Sequence, residues 1–297
     1  MIESKPRSAL RVRLATAADL DAITALLARM LGGDGGAARY RAFFEYRWPT
    51  ARPNVGAVIE DTAGTLGGFL GAIYSEREVA GKPRAICNLT SWAVDPAYRR
   101  ASLAMLKCLL DQDRAGQPPL TFTTFSASPD AAEILRFLKF QTARADKLLF
   151  TAAARLRRRP ADLHVLDGAD AVAPRLSPAH RRILDDHRGY RCGHVLIERG
   201  DRQCYAVTLA RGRGARKFAD VLYASDPQLF VDGIAGVVAA TMRAHRTWLT
   251  GIDLRWVDRP PPFALCYTGL RPVMFRSDDL DARDICALHS ELVPTYG

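Results

Sequence analysis

An α+β fold made of two mixed α/β units is predicted by three observations. The chain has 297 residues, more than one compact domain usually holds, so units of about 150 residues are expected. Its apolar pattern runs twice through a strand meander, an Asp-Pro break and an amphipathic helix, first around Asp95-Pro96 and again around Asp226-Pro227. The run Arg155-Leu156-Arg157-Arg158-Arg159-Pro160-Ala161-Asp162 is the sharpest change of composition and stands between the two copies. The expected division is residues 1–154, a linker at 155–162, and residues 163–297, each unit a mainly antiparallel twisted sheet flanked by helices.

In the first unit, Leu10 to Leu14 alternates apolar and charged residues, the period of a half-buried strand. Thr16 to Asp19 resembles a capping box, and Leu20, Ile23, Leu27, Met30 and Leu31 form a helical apolar stripe that the glycines at 32, 33, 35 and 36 stop. A second helix is expected over Ala37 to Arg47, its aromatic residues Tyr40, Phe43 and Phe44, with Trp48 beyond, serving the core or lining a substrate cleft. Val55 to Glu60, Leu66 to Glu78 and Pro83 to Val94 read as successive strands around turns at Asp61–Gly64 and Ala80–Lys82. Gly116-Gln117-Pro118-Pro119 breaks the chain before a strand at Leu120 to Phe125, and Ser128 caps a helix that has Pro129 at its first position.

The second unit repeats this order. A strand at Leu163 to Leu166 and a helix opened by Ser177-Pro178 precede strands at Val195–Glu198, Cys204–Ala210 and Phe218–Ala224, with Arg211-Gly212-Arg213-Gly214 as a turn. His180 and His187 on that helix read as surface groups. Phe230, Ile234, Val237, Val238 and Met242 outline the helix after Asp226-Pro227, followed by a strand at Trp248–Trp256 and a short element over Phe263–Phe275 that ends in a strand.

Composition excludes several classes. The net charge of +10 and pI near 9.6 come from arginines spread along the chain without an interleaved aromatic motif, which argues against a nucleic-acid partner. Six scattered cysteines contain no C-x-x-C pair and no zinc-type Cys/His spacing, so they read as reduced thiols and no metal is expected. No secretory leader and no membrane span of roughly 20 apolar residues is read in the sequence. A cytoplasmic protein is the expectation.

The informative stretch is Cys87 to Leu110. Pro96 cannot donate to a ladder, so the strand should end near Val94; from Leu103 the period becomes helical, making Arg99 to Ala104 the opening turn of a helix. Unpaired backbone N–H groups and small residues there would admit an anionic ligand such as a phosphate. The run Val94-Asp95-Pro96-Ala97-Tyr98-Arg99, then small residues and an amphipathic helix, resembles the acyl-coenzyme A binding segment of the GNAT superfamily of N-acyltransferases. That family's Q/R-x-x-G-x-G/A signature falls on Arg99, Ser102 and Ala104, with serine in place of the middle glycine. The family's later N-x-x-A-x-x-x-Y-x-x-x-G-F pattern falls on Ser128, Ala131, Leu135, Lys139 and Phe140.

The resemblance covers the whole first unit and, more faintly, the second. There residues 227–236 retain only Gly233 and Gly236 of the loop, and Tyr267-Thr268-Gly269-Leu270 echoes the ending, so the second copy would shape the acceptor site or a homodimer surface. It implies transfer of an acyl group, most simply acetyl, from acetyl-CoA or another acyl-CoA to a small-molecule or peptide amine by direct attack. Ala93 and Val94 would hold the thioester carbonyl, and Arg99, Arg100, Ala101, Ser102, Leu103 and Ala104 the pyrophosphate. Leu135 stands where the family often has a proton-donating tyrosine. Among candidates for the base, Glu76 and Glu78 lie on the neighbouring strand and Cys87 has no nearby histidine, so the catalytic residues stay unassigned. A coenzyme A-binding sensor that has lost catalysis is the alternative.

Overall fold

The computed structural model describes residues 9–32, 36–79, 81–112, 120–212, 217–268 and 271–296. Residues 33, 35, 80, 116–119, 213–214 and 269–270, on which several expected turns fall, lie outside them. The first half runs β1 (Arg11–Ala15), α1 (Leu20–Leu31), α2 (Gly36–Arg41), β2 (Gly56–Glu60), β3 (Leu66–Val79), β4 (Lys82–Val94), α3 (Ser102–Leu110), β5 (Leu120–Thr124), α4 (Pro129–Phe137), β6 (Gln141–Ala143) and β7 (Lys147–Thr151). The second runs β8 (Leu163–Asp167), α5 (Ala169–Val172), α6 (Pro178–His187), β9 (Cys192–Arg199), β10 (Arg202–Arg211), β11 (Phe218–Ala224), α7 (Pro227–Asp232), α8 (Ile234–His245), β12 (Leu249–Asp253), β13 (Leu265–Tyr267), β14 (Val273–Arg276) and α9 (Leu292–Tyr296).

These strands form two seven-stranded sheets, ordered β1-β2-β3-β4-β5-β14-β6 and β13-β7-β12-β11-β10-β9-β8. Each is antiparallel except for one parallel pair, β4 with β5 and β11 with β12. Sheet membership does not follow the division at 155–162. β7 belongs to the second sheet, where Leu249 to Asp253 pair with Thr151 to Lys147, and β14 belongs to the first, with Phe275 opposite both Thr123 and Gln141. The two strands expected as one element over 263–275 thus lie in different sheets. The run expected as a linker is itself ordered: residues 152–156 make a short 3-10 turn, and the Arg157 guanidinium lies 3.8 Å over the Phe263 ring.

Two local expectations change. The helix expected over Ala37 to Arg47 ends at Arg41, because Phe43, Phe44, Tyr46 and Trp48 are all buried and cannot share one helical face. The chain turns there so that each ring enters the core. Trp48 donates its indole N–H to the Tyr74 carbonyl at 2.8 Å, stacks on Tyr46 at 4.4 Å and meets His289 edge-on at 5.1 Å. Furthermore, His187 is no surface group: it shares a face of α6 with Ile183 and Leu184, is fully buried, and stacks on Trp48. One continuous core therefore joins the halves. The glycines at 233 and 236 serve packing, since a Cβ on Gly236 would lie 2.7 Å from the Val165 side chain and α8 could not sit on β8.

Two outcomes follow from this packing. Phe275→Ala removes a fully buried ring from a strand hydrogen-bonded on both edges and should lower stability by about 3–5 kcal/mol in urea denaturation. Burial, reinforced at both by Arg77, at His187 by His289 and at His289 by Arg182, holds the His187 and His289 imidazoles neutral, with pKa values pushed down to about 3. Unfolded, each takes up a proton below about pH 6.5, so stability is fully present above that pH and is lost as pH falls toward 3, by up to about 1.4 kcal/mol per pH unit for each histidine. The urea midpoint at pH 7.5 should exceed that at pH 5.5, and His187→Phe should flatten the dependence.

Candidate functional site

The site begins with an irregularity in β4. Gly71 pairs with Thr90 but Phe69 pairs with Ala93, so β4 carries one residue more than β3 across the same step. Ser91, at that bulge, adopts the left-handed region with φ 53°. The bulge bends β4 away from its other neighbour. β4 and β5 pair in parallel only from Ala85–Leu120 to Asn88–Thr123, and beyond Asn88 they part. A cavity of about 850 Å³ opens in the fork, at the carboxyl ends of two parallel strands where open sheets commonly bind ligands. Leu70 and Leu89, the start of α4, and Tyr40 with Phe43 are among its lining.

The start of α3 closes the mouth. Residues 96–101 form a 3-10 segment and the α-helix begins at Ser102, so the expected opening turn is divided between two helix types. Asp95 holds this segment by accepting from the Ala97 N–H at 3.2 Å and from Arg29 at 3.2 Å, contacts that keep its carboxyl below the usual range. Tyr98 donates to Asp61 at 2.9 Å, and its ring lies directly over Gly67, where a Cβ would approach to 2.3 Å. The Ser102 hydroxyl accepts from the Trp92 indole at 3.1 Å, tying the helix start to the bulge. The serine at the family's glycine position thus has a partner on β4.

Of the residues singled out in the sequence, Val94, Arg99 and Ser102 line the cavity, and so does Leu135. Ala93 is in the ladder opposite Phe69, and Arg100, Ala101, Leu103 and Ala104 are outside the lining. Arg99 has no salt-bridge partner among the described residues. Glu76 and Glu78 face a separate cleft against α6, and Cys87 is fully buried. None of these three reaches the cavity.

One group the sequence reading missed does reach it. Glu291, just before α9, lines the cavity although it is only 4 % exposed. Asn88 donates its amide to Glu291 Oε2 at 2.6 Å, and Thr123 donates to Asn88 Oδ1 at 3.2 Å. The carboxyl is therefore clamped at the last paired residues before the strands part. Burial pushes its pKa up, partly opposed by Ser126 and Asn88, and Oε1 makes no hydrogen bond among the described residues. The only sequence signal was Asn88, an amide inside an otherwise apolar buried strand.

The second sheet treats its parallel pair differently. Beside Asp220 and Gly251, Lys147 approaches Asp220 at 2.6 Å and Asp253 at 3.1 Å, while Arg211 approaches Asp220 at 2.6 Å. Burial opposes the charge on Asp220, but Lys147 and Arg211 outweigh it and hold the carboxyl below its usual range. A buried ion cluster thus stands where the first sheet has a fork. Among the described residues, no group of three or more His, Cys, Asp or Glu side chains is placed to hold a metal, and no helix is long and apolar enough to cross a membrane.

This architecture has counterparts among solved structures. A GCN5-related N-acetyltransferase from Anabaena variabilis superposes with a TM-score of 0.57 at 12% identity, over 90% of this chain and 72% of its own. The chain has the fold of the GCN5-related N-acetyltransferases. A second such protein, from Kribbella flavida, gives 0.56 at 14% identity over 91% of this chain and 71% of its own. A candidate acetyltransferase from Pyrococcus horikoshii matches over 100% of this chain and 99% of its own, with a TM-score of 0.53 at 13% identity. No protein-family model and no curated protein matches the sequence.

The contact between Gly67 and Tyr98 gives a test of the mouth's construction. Gly67→Ala should destabilise the fold by about 1–3 kcal/mol through overpacking, read as a lower denaturation midpoint. In a Tyr98→Ala background the same substitution should have almost no effect, since the atoms it would meet are gone.

Proposed function

We propose that this chain is an N-acyltransferase that moves an acyl group, most simply acetyl, from acyl-CoA to an amine within the β4–β5 fork. The observation that carries the reading is the bulge at Ser91, which opens a cavity beside the start of α3 at the carboxyl ends of two parallel strands. The residues fit an acyl-CoA. Backbone donors and the positive end of the α3 dipole suit a pyrophosphate, with Arg99 lining the cavity beside them. The volume is that of a ligand site, and apolar Leu70, Leu89 and Leu135 suit an acyl chain and its pantetheine arm. Amide donors of β4 near Ala93 and Val94 would polarise the thioester carbonyl. The acceptor, a small molecule or a peptide amine, would enter from the opposite side, past Tyr40 and Phe43. Among the described residues the cysteines form no disulfide, in keeping with a reducing cytoplasm, where acyl-CoA is found.

A second reading is favoured by one observation. Leu135 sits in the cavity wall where a hydroxyl would serve as proton donor, which suits a coenzyme A-binding sensor without turnover. Calorimetry with acetyl-CoA, longer acyl-CoAs and free coenzyme A tests both readings, and binding of none would sink both. Arg99→Ala should weaken binding about tenfold, the loss of one charge-assisted phosphate contact. Ser102→Glu should abolish binding by placing a carboxylate against the phosphates. Release of free thiol on adding primary amines then separates the enzyme from the sensor.

A further inference from the structure

We infer that Glu291 is the general base of the β4–β5 fork, accepting the proton of the attacking amine on Oε1. The inference rests on the acyl-transfer reading and deepens it. Three features of the geometry point to this role. The carboxyl lies in the cavity wall at the point where β4 and β5 separate, which is where an acyl group inserted in the fork would end. Its two oxygens are differentiated: Oε2 is held by the Asn88 amide at 2.6 Å, whereas Oε1 is buried and makes no hydrogen bond among the described residues, the Ser126 side chain being near enough only to favour the ionised carboxyl. A buried oxygen left without a partner carries a substantial desolvation penalty, which an ammonium or amine N–H donor entering the cavity would relieve.

The surroundings leave few rivals. The other charged groups lining the cavity are Arg39, Arg99, Asp130 and Arg271, with Tyr40 and Tyr296 as phenols, and no histidine is among the lining. Asp130 is exposed to solvent on the first turn of α4, away from the point where β4 and β5 part. Arg211 of β10 is close enough for its charge to favour the ionised form of Glu291. Asn88 is a positioning residue: its own carbonyl accepts from Thr123, which fixes the amide toward Glu291.

The step balances as follows. An acceptor ammonium gives one proton to Glu291 Oε1, and the freed lone pair forms the C–N bond at the thioester carbonyl. The C–S bond breaks, and the second proton lost by that nitrogen ends on the departing sulfur as free thiol. Glu291 then releases its proton to water.

The test compares the full chain with Glu291→Gln, whose amide oxygen can still accept from Asn88. Acetyl-CoA is the donor, and a panel of primary amines covers amino acids, polyamines, amino sugars and lysine peptides. Glu291→Gln should bind acetyl-CoA within about twofold of the parent and keep the acceptor KM, while kcat falls at least ~100-fold and the acid limb of kcat/KM disappears. Glu291→Asp should recover part of kcat. Turnover by Glu291→Gln equal to the parent's overturns the assignment and leaves the acyl-transfer reading standing. Failure of the parent chain to bind any acyl-CoA overturns that reading instead. If no amine in the panel is turned over, or the variant does not fold, dicyclohexylcarbodiimide on the unaltered chain decides, since it reacts with protonated carboxyls in apolar sites. Modification of Glu291 that acetyl-CoA blocks supports the assignment, and a Glu291 that stays unmodified overturns it.

Discussion

The hydrogen bonding of β14 to both β5 and β6 is the interaction on which the arrangement depends. A four-residue strand from the end of the chain completes the first sheet, and in exchange β7 completes the second. Without that exchange β5 would be a bare edge beside the fork, open to pairing with another chain. With it, the segment after β14 is delivered over the first sheet, and α9 is laid against the cavity. The continuous core running through Trp48, His187 and His289 accompanies the same crossing, in which each half supplies a strand to the other's sheet.

The two parallel pairs show how one architecture yields two outcomes. At β4–β5 the extra residue near Ser91 bends the strand, and the resulting space is lined by small polar side chains and leucines. At β11–β12 the space is filled by Lys147, Asp220, Arg211 and Asp253, charges that satisfy one another away from water. A buried cluster of this kind gives limited net stability against an apolar equivalent, but removing one member leaves an uncompensated charge. The second sheet thus carries a buried ion cluster at its parallel pair, and the first a lined cavity.

Much of the fold was legible in the sequence because local signals agreed with tertiary ones. Asp95-Pro96 and Asp226-Pro227 ended their strands by removing a donor and capping the next turn, through Ala97 in one case and Leu229 in the other. The meanders were readable from turn glycines and β-branched runs. Where legibility failed, the cause was non-local. Tyr40, Phe43, Phe44 and Trp48 resembled a helix face, yet the pull of a core shared by both halves broke the helix after Arg41. Nothing in Val273 to Arg276 marks which sheet it joins, since a short apolar strand suits any open edge. Arg99, Ser102 and Leu135 were found through their resemblance to a known pattern. Glu291 belongs to no periodic element, and only the fold places it against Asn88.

The Asn88–Glu291 hydrogen bond spans 203 positions of sequence. Closing a loop of that length is an entropic burden that local structure cannot offset, so this contact belongs among the last to form. A chain with the first meander formed but β14 not yet docked would have the mouth of the cavity without its carboxyl. Occupancy of the site thus reports completion of folding, and a ligand that engages Glu291 draws the whole chain, and not one half of it, toward the native state.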